Sequence, residues 1–311
     1  MEPCIVVVGG GRVGTYLACK MRQARARVLL KGSGRKKGKA SYALQGYVDT
    51  LCEDAGVEQI SSFETLRNQE VDFVFIATKT YDISGVQEEL KENCVRPKVV
   101  VLIHNGIIKD PFDCPTVRVV VPQGYDFVET PGKGCGVKIL VKNEDKPWIM
   151  PNTEAARKVE ALLSKCNMPS CAHPHFSYLM IRKFFINGVA NLLSIVADTN
   201  CNGLLQNHRK TMDNLYDEIY KVLQKPHADA FKLMPDNFYS IVFEGLASYS
   251  EHHPSSWHDF KAGSQIEIES LNGYVKQLAN DQGMQVPETD ALLCKLQEML
   301  KQRGRELEST C

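Results

Sequence analysis

The chain has 311 residues, 43% hydrophobic and 24% charged, a length that suits two domains and a balance typical of globular proteins. Its 37 basic and 37 acidic side chains cancel, so no bulk field draws nucleic acid or an anionic membrane. No uninterrupted apolar run approaches the ~18 residues of a membrane span and Met1–Ile5 carries no cleavage signal, so a cytoplasmic protein without membrane partners is expected.

The first half alternates β-rich runs with helical stretches. Ile5–Val8 is a compact apolar run ending in three glycines, and Arg12–Arg22 carries Val13, Leu17, Ala18 and Met21 at helical spacing. Arg27–Leu30 reads as a second strand and leads into a basic stretch, Lys31–Lys39. Val71–Ala77 has a buried-strand pattern, Ile83–Glu92 a helical one, and Lys98–Ile103 and Val117–Val121 add two more β runs. Strands separated by helices imply crossover units and a parallel sheet covered on both faces.

From about Pro151 helical periodicity takes over. The predicted helices are Glu154–Lys165, Phe176–Val196, Leu204–Gln224, Phe238–Tyr249, Gln265–Asn280 and Thr289–Arg303, punctuated by Pro226, Pro235, Pro254 and Pro287. The expected architecture is an N-terminal α/β domain with a Rossmann-type parallel sheet, residues 1–170, followed by an all-α domain, residues 171–311.

The 11 cysteines are scattered without a Cys-x-x-Cys pair, so reduced thiols acting as small hydrophobes are expected rather than disulfides or a metal site. His252, His253 and His258 lie in a polar, proline-containing stretch and read as loop, and Pro131–Gly136 lacks the spacing of a phosphate loop and reads as a turn.

Gly9-Gly10-Gly11-Arg12-Val13-Gly14 satisfies G-x-G-x-x-G between a strand and a helix, the context a dinucleotide requires. Gly9 permits the tight turn, Gly11 lets a pyrophosphate approach the backbone, and Gly14 lets helix and strand pack closely. The helix N-terminus beyond offers N–H groups to phosphate. After the second strand no carboxylate appears until Asp49, so a ribose 2′-hydroxyl lacks an acceptor. Lys31, Arg35, Lys36, Lys37 and Lys39 instead suit a 2′-phosphate, which favours NADP(H); the alternative is a solvated basic loop.

Lys183, Asn187 and Asn191 recur at i, i+4 and i+8, one face of a helix otherwise apolar. One such residue would read as a solvated face. An aligned lysine and two amides facing a cleft suit recognition of a carbonyl and a carboxylate. Lys79, just after Val71–Ala77, reads as a phosphate contact or a surface lysine, and Asn105-Gly106 as a ligand contact or a turn.

In this order the residues resemble the ketopantoate reductase (2-dehydropantoate 2-reductase) family over nearly the whole chain. The landmarks are Gly9–Gly14, Ala77-Thr78-Lys79, His104-Asn105-Gly106, Arg182-Lys183 with Asn187 and Asn191, and Asn202-Gly203. They continue through Pro254-Ser255-Ser256 with Asp259, Glu267, Leu271-Asn272-Gly273, and Gly283 with Pro287. The resemblance implies Lys79 near the adenosine phosphate or ribose, Asn105 at nicotinamide and substrate, and Lys183 as the catalytic lysine. Asn187, Asn191, Asn202 and Ser255 would hold the substrate, and Glu267 would pair with the lysine or the ligand.

The implied activity is NADPH-dependent reduction of a small-molecule 2-oxo acid to a 2-hydroxy acid, ketopantoate to pantoate foremost, with Lys183 polarising and protonating the ketone. The alternatives are a related NADP-dependent reductase for another branched 2-oxo acid and a non-catalytic NADP(H) sensor. The helical half is the candidate for a homodimer contact.

Overall fold

A computed structural model describes residues 2–32, 39–130 and 136–309. The chain divides into two compact units, Met1–His104 with Lys109–Phe176, and Asn105–Ile108 with Ser177–Cys311.

The first unit runs β1 (Cys4–Val8), α1 (Arg12–Met21), β2 (Arg27–Lys31), α2 (Lys39–Ala55), β3 (Glu58–Ile60), β4 (Glu70–Ile76), α3 (Ile83–Glu92), β5 (Arg96–Leu102) and β6 (Thr116–Arg118). These strands form one sheet in the order β3-β2-β1-β4-β5-β6, every pair parallel. The order reverses between β1 and β4, and in such sheets ligands lie at the carboxyl ends of the strands beside the reversal. Ile5–Val8 and Val74–Ile76 are buried, as the apolar patterning of these two strands requires.

Three smaller elements complete the unit. β7 (Gly124–Thr130) and β8 (Gly136–Lys142) pair antiparallel, whereas β9 (Trp148–Pro151) and β10 (Ser170–His173) pair in parallel through the crossover helix α4 (Glu154–Lys165). The division between units falls after Phe176 rather than residue 170 because β10 stays with β9. The Pro131–Gly136 turn lies, up to residue 135, outside the described residues.

The second unit contains α5 (Phe176–Val196), α6 (Cys201–Asn207), α7 (Arg209–Gln224), α8 (Ala228–Phe231), α9 (Phe238–Ala247), α10 (Ser255–Lys261), a π-helical turn (Glu269–Gly273), α11 (Tyr274–Asp281) and α12 (Pro287–Ser309). The stretch expected as one helix over Leu204–Gln224 breaks at His208. The one expected over Gln265–Asn280 begins only at the π turn. Phe185 of α5 centres the core, with ring centroids 5.1 Å from both Phe238 and Tyr216.

Contrary to expectation, one described helix, α5, is long and apolar enough by length and composition to cross a membrane. Counting uninterrupted apolar runs misses it because Arg182 and Lys183 interrupt the run without lowering its average much. Phe184, Phe185, Val189, Leu192, Leu193 and Ile195 are buried in the helical core, the packing of a central core helix.

Candidate active site

The glycine turn leaves β1 at the point where the strand order reverses. Gly9 adopts φ +110°, a conformation that side chains rarely tolerate, and a Cβ there would meet Ala77 O at 2.8 Å. A Cβ on Gly14 would be driven into Gly9 O, so this glycine closes helix onto strand. At Gly11 no atom lies within 4 Å of where a Cβ would stand. Gly9 N donates to Lys31 O and Ala77 N to Val8 O, both at 2.8 Å, which ties the three strand ends together.

Gly11 caps α1 without a side-chain bond, and the first turn holds no acidic residue. Its N–H groups are therefore left for an anion, with Arg12 and Val13 at the rim and Gly10 half-buried. Thr78, buried beside Gly9, has a hydroxyl without a hydrogen-bond partner among the described residues. An uncapped helix end, an open glycine and an uncommitted hydroxyl fit a dinucleotide pyrophosphate.

Lys31 is placed differently from the expectation of a cation facing a 2′-phosphate. It is buried, ion-paired with Glu89 at 2.8 Å, and its Nζ lies 5.4 Å from the Phe63 ring centroid. A buried lysine needs such a partner, and Glu89 had no signal in the sequence because it comes from α3. Arg35 lies outside the described residues, as do Lys36 and Lys37. Lys79 is half-buried just past the end of β4.

In the helical unit, α5 carries Lys183 and Asn187 half-buried and Asn191 buried. The Asn187 side chain makes no hydrogen bond among the described residues. Asn191 Nδ2 donates to Ser256 Oγ at 3.2 Å, and Ser194 Oγ donates back to Asn191 O at 2.8 Å. The bond to Asn191 thus comes from Ser256, while Ser255 is exposed. Two adjacent serines at a helix start are indistinguishable by pattern, and only the helical phase of α10 separates them.

α10 is held to the end of α5 through Asp198. Lys261 lies 2.8 Å from its carboxylate and Trp257 Nε1 donates to it at 2.9 Å, and these two partners hold the carboxyl below its ordinary range. Asn202 is half-buried in α6 and accepts from Gln206 at 3.2 Å, while its backbone N–H donates to Ser250 O. The loop carrying His252 thereby joins α6, and among the described residues no cluster of His, Cys, Asp or Glu could hold a metal ion.

Asn105 follows β5 in sequence yet belongs with the helical unit. Gly106 adopts φ +74° with no room for a Cβ against Ser270, and Ile107 N donates to Ser270 O at 2.7 Å. Ser270 Oγ in turn donates to the backbone carbonyl of Glu267, which is itself buried. Two residues on, the fully buried Asn272 donates from Nδ2 to Gly188 O, 2.9 Å away in α5. The π turn so joins the Asn105 loop, Glu267 and the helix of Lys183, and extra-residue turns of this kind are frequent at functional sites. Ser256 and Asn272 stand among the family landmarks in the sequence, but their spacing there implies no role for either.

Two family profiles match the chain: "Ketopantoate reductase PanE/ApbA" over residues 5–120 and "Ketopantoate reductase PanE/ApbA C terminal" over residues 175–300. The chain is 31% identical over 234 residues to the 2-dehydropantoate 2-reductase of Aquifex aeolicus, covering 72% of this chain and 75% of that protein. In fold it is similar to the dimeric ketopantoate reductase of Staphylococcus aureus, with TM-score 0.72, 15% identity, and 96% and 99% of the two chains covered. It is likewise similar to D-mandelate dehydrogenase with NADH and anilino(oxo)acetate, with TM-score 0.71, 19% identity and coverage of 97% and 99%.

Proposed function

The chain belongs to the ketopantoate reductase family, and on that premise we propose that it reduces a 2-oxo acid, ketopantoate foremost, to the 2-hydroxy acid with NADPH. One observation above all supports this reading. Ile107 N to Ser270 O at 2.7 Å and Asn272 Nδ2 to Gly188 O at 2.9 Å bind the segments of Asn105, Glu267 and the Lys183–Asn187–Asn191 stripe into one unit. A nucleotide sensor has no need of that assembly.

The Gly9–Gly14 turn would hold NADPH, which when bound would supply a hydride for the keto carbon. Negative charge then grows on the ketone oxygen, and a hydrogen bond from Lys183 Nζ strengthens as it does. An interaction stronger in the transition state than in the ground state lowers the barrier. Lys183 then passes a proton to that oxygen to give the alcohol. Asn187 and Asn191 hold the substrate's carboxylate and hydroxyl, Asn191 being oriented by Ser256, and Asn105 orients the ketone. Glu267 pairs with the lysine or the ligand. Discrimination for the 2′-phosphate falls on Arg35 and its basic neighbours, since Lys31 is committed to Glu89.

Wild-type protein should oxidise NADPH in the presence of ketopantoate, and do so faster than NADH. A panel of other 2-oxo acids, aromatic ones included, tests the substrate class. Lys183→Ala should lower turnover by about 10²-fold or more while NADPH still binds. Near-full turnover in that variant would remove Lys183 from the mechanism, and wild-type protein inert toward every 2-oxo acid would leave only a nucleotide binder.

A further inference from the structure

Between Glu267 and Asn272 the helical unit buries three polar side chains, Glu267, Ser270 and Asn272, and Glu269 alone is exposed. Asn272 is half-satisfied. Its Nδ2 donates to Gly188 O at 2.9 Å, while Oδ1, equally buried, has no hydrogen-bond partner among the described residues. Leaving a buried acceptor unpaired lowers stability, and an apolar side chain of the same shape would avoid that cost.

Nor does Gly188 need the bond. It lies inside α5, where its carbonyl already belongs to the helix ladder. The Asn272 amide therefore adds direction rather than satisfaction: it fixes at which point, and in which rotation, α5 meets the π turn. At the same residue α5 is pressed against α7, since a Cβ on Gly188 would meet Ile219 Cδ1 at 2.7 Å.

We propose that Asn272 is a positioning residue for the reduction, gripping α5 at Gly188 so as to set where Lys183 and Asn187 stand relative to Glu267 and Asn105. The proposal rests on the reading of the site given above. Lys183 and Asn187 share one helix with Gly188, and the segments of Asn105 and Glu267 are tied to the π turn through Ser270. A slip of α5 along the turn moves the lysine away from the ketone oxygen while every group is still present. A misplacement of about 1 Å can cost on the order of 10²-fold in rate. Because the lysine's hydrogen bond counts most in the transition state, the loss falls on kcat more than on KM.

The test compares two variants. Asn272→Leu keeps the branched shape with no polar atom, and Asn272→Asp keeps it with a group that donates only when protonated. In ketopantoate-dependent NADPH oxidation, Asn272→Leu should lose about tenfold or more in kcat. Its KM and its calorimetric NADPH affinity should each stay within about threefold of wild type. Asn272→Asp, measured against wild type at each pH, should recover kcat as pH falls and the carboxyl takes up its proton, whereas Asn272→Leu should recover at no pH. Lys183, Glu267 and Glu269 are the charged groups on the two segments around the bond, and the wild-type comparison removes their own titration. Thermal melts establish that each variant is folded, and Asn272→Asp decides the matter if Asn272→Leu is not. A folded Asn272→Leu with wild-type kcat, a loss confined to KM, or an Asn272→Asp that stays depressed at low pH overturns the proposal. Wild-type protein inert toward every 2-oxo acid overturns the reading of the site itself, and the proposal with it.

Discussion

Asn191 and Ser256 meet side chain to side chain, Nδ2 to Oγ at 3.2 Å, 65 positions apart in the chain and both buried. Neither has water as a ready substitute partner. The bond therefore fixes the amide of α5 relative to α10, and Asp198 fixes α10 relative to α5 a second time through Trp257 and Lys261.

Removing the Ser256 hydroxyl leaves a buried amide donor without its acceptor, which costs about 1–3 kcal/mol. Ser255→Ala, at an exposed position, should stay within about 0.5 kcal/mol of wild type. Urea denaturation of the two variants measures the difference. In assays Ser256→Ala should also raise KM for the 2-oxo acid more than Ser255→Ala does. Were Ser255→Ala the more damaging of the two in both measurements, the orienting role given to Ser256 would be wrong.

The glycine turn separates into folding and binding positions. Gly14→Ala would push a methyl into Gly9 O and should lower stability by several kcal/mol or prevent folding, because backbone there has nowhere to move. Gly11→Ala meets nothing within 4 Å and should melt like wild type. Its methyl would stand where the pyrophosphate must approach, so NADPH affinity should fall at least about tenfold, or about 1.4 kcal/mol. Calorimetric titration of NADPH alongside thermal melts checks both. Wild-type affinity in Gly11→Ala would place the pyrophosphate elsewhere.

How far the chain can be read without its fold follows from what each pattern encodes. The strands of the large sheet, their parallel pairing and the helical second half are visible because burial on one or both faces imposes a period on the residues. β3, β9 and β10, with three or four residues each, are too short for a period to register, and α2 follows a basic stretch that masks its start. At the site, the glycine turn and the stripe on α5 were legible because their spacing is local. Ser256, Asn272 and Glu89 were not, since each takes its role from a partner far along the chain: Asn191, Gly188 and Lys31. Lys31 reads as one of the cations suited to a 2′-phosphate, and its ion pair with Glu89 on α3 is invisible to local spacing.

Tyr125 and Tyr216 make the fold's stability depend on alkaline pH. Burial pushes both phenols up to about 12, with the nearby Glu144 charge adding to it for Tyr125, and Tyr220, Asp217 and Tyr239 adding to it for Tyr216. At Tyr125 the hydrogen bond from Trp148 Nε1, at 3.2 Å, works in the other direction and is outweighed. An unfolded tyrosine ionises near pH 10. Below that value both states keep the proton and the contribution to stability is complete. Between about pH 10 and 12 only the unfolded chain releases it, so stability falls as pH rises, by at most about 1.4 kcal/mol per pH unit for each residue. Urea midpoints taken from about pH 9 to about pH 11.5 should therefore decline, with phenolate absorbance showing a late-titrating group of tyrosines. Tyr216→Phe, which keeps the ring packed against Phe185, should flatten part of that decline. Flat midpoints across the range, with every tyrosine ionising together near pH 10, would mean that neither phenol is protected by the fold.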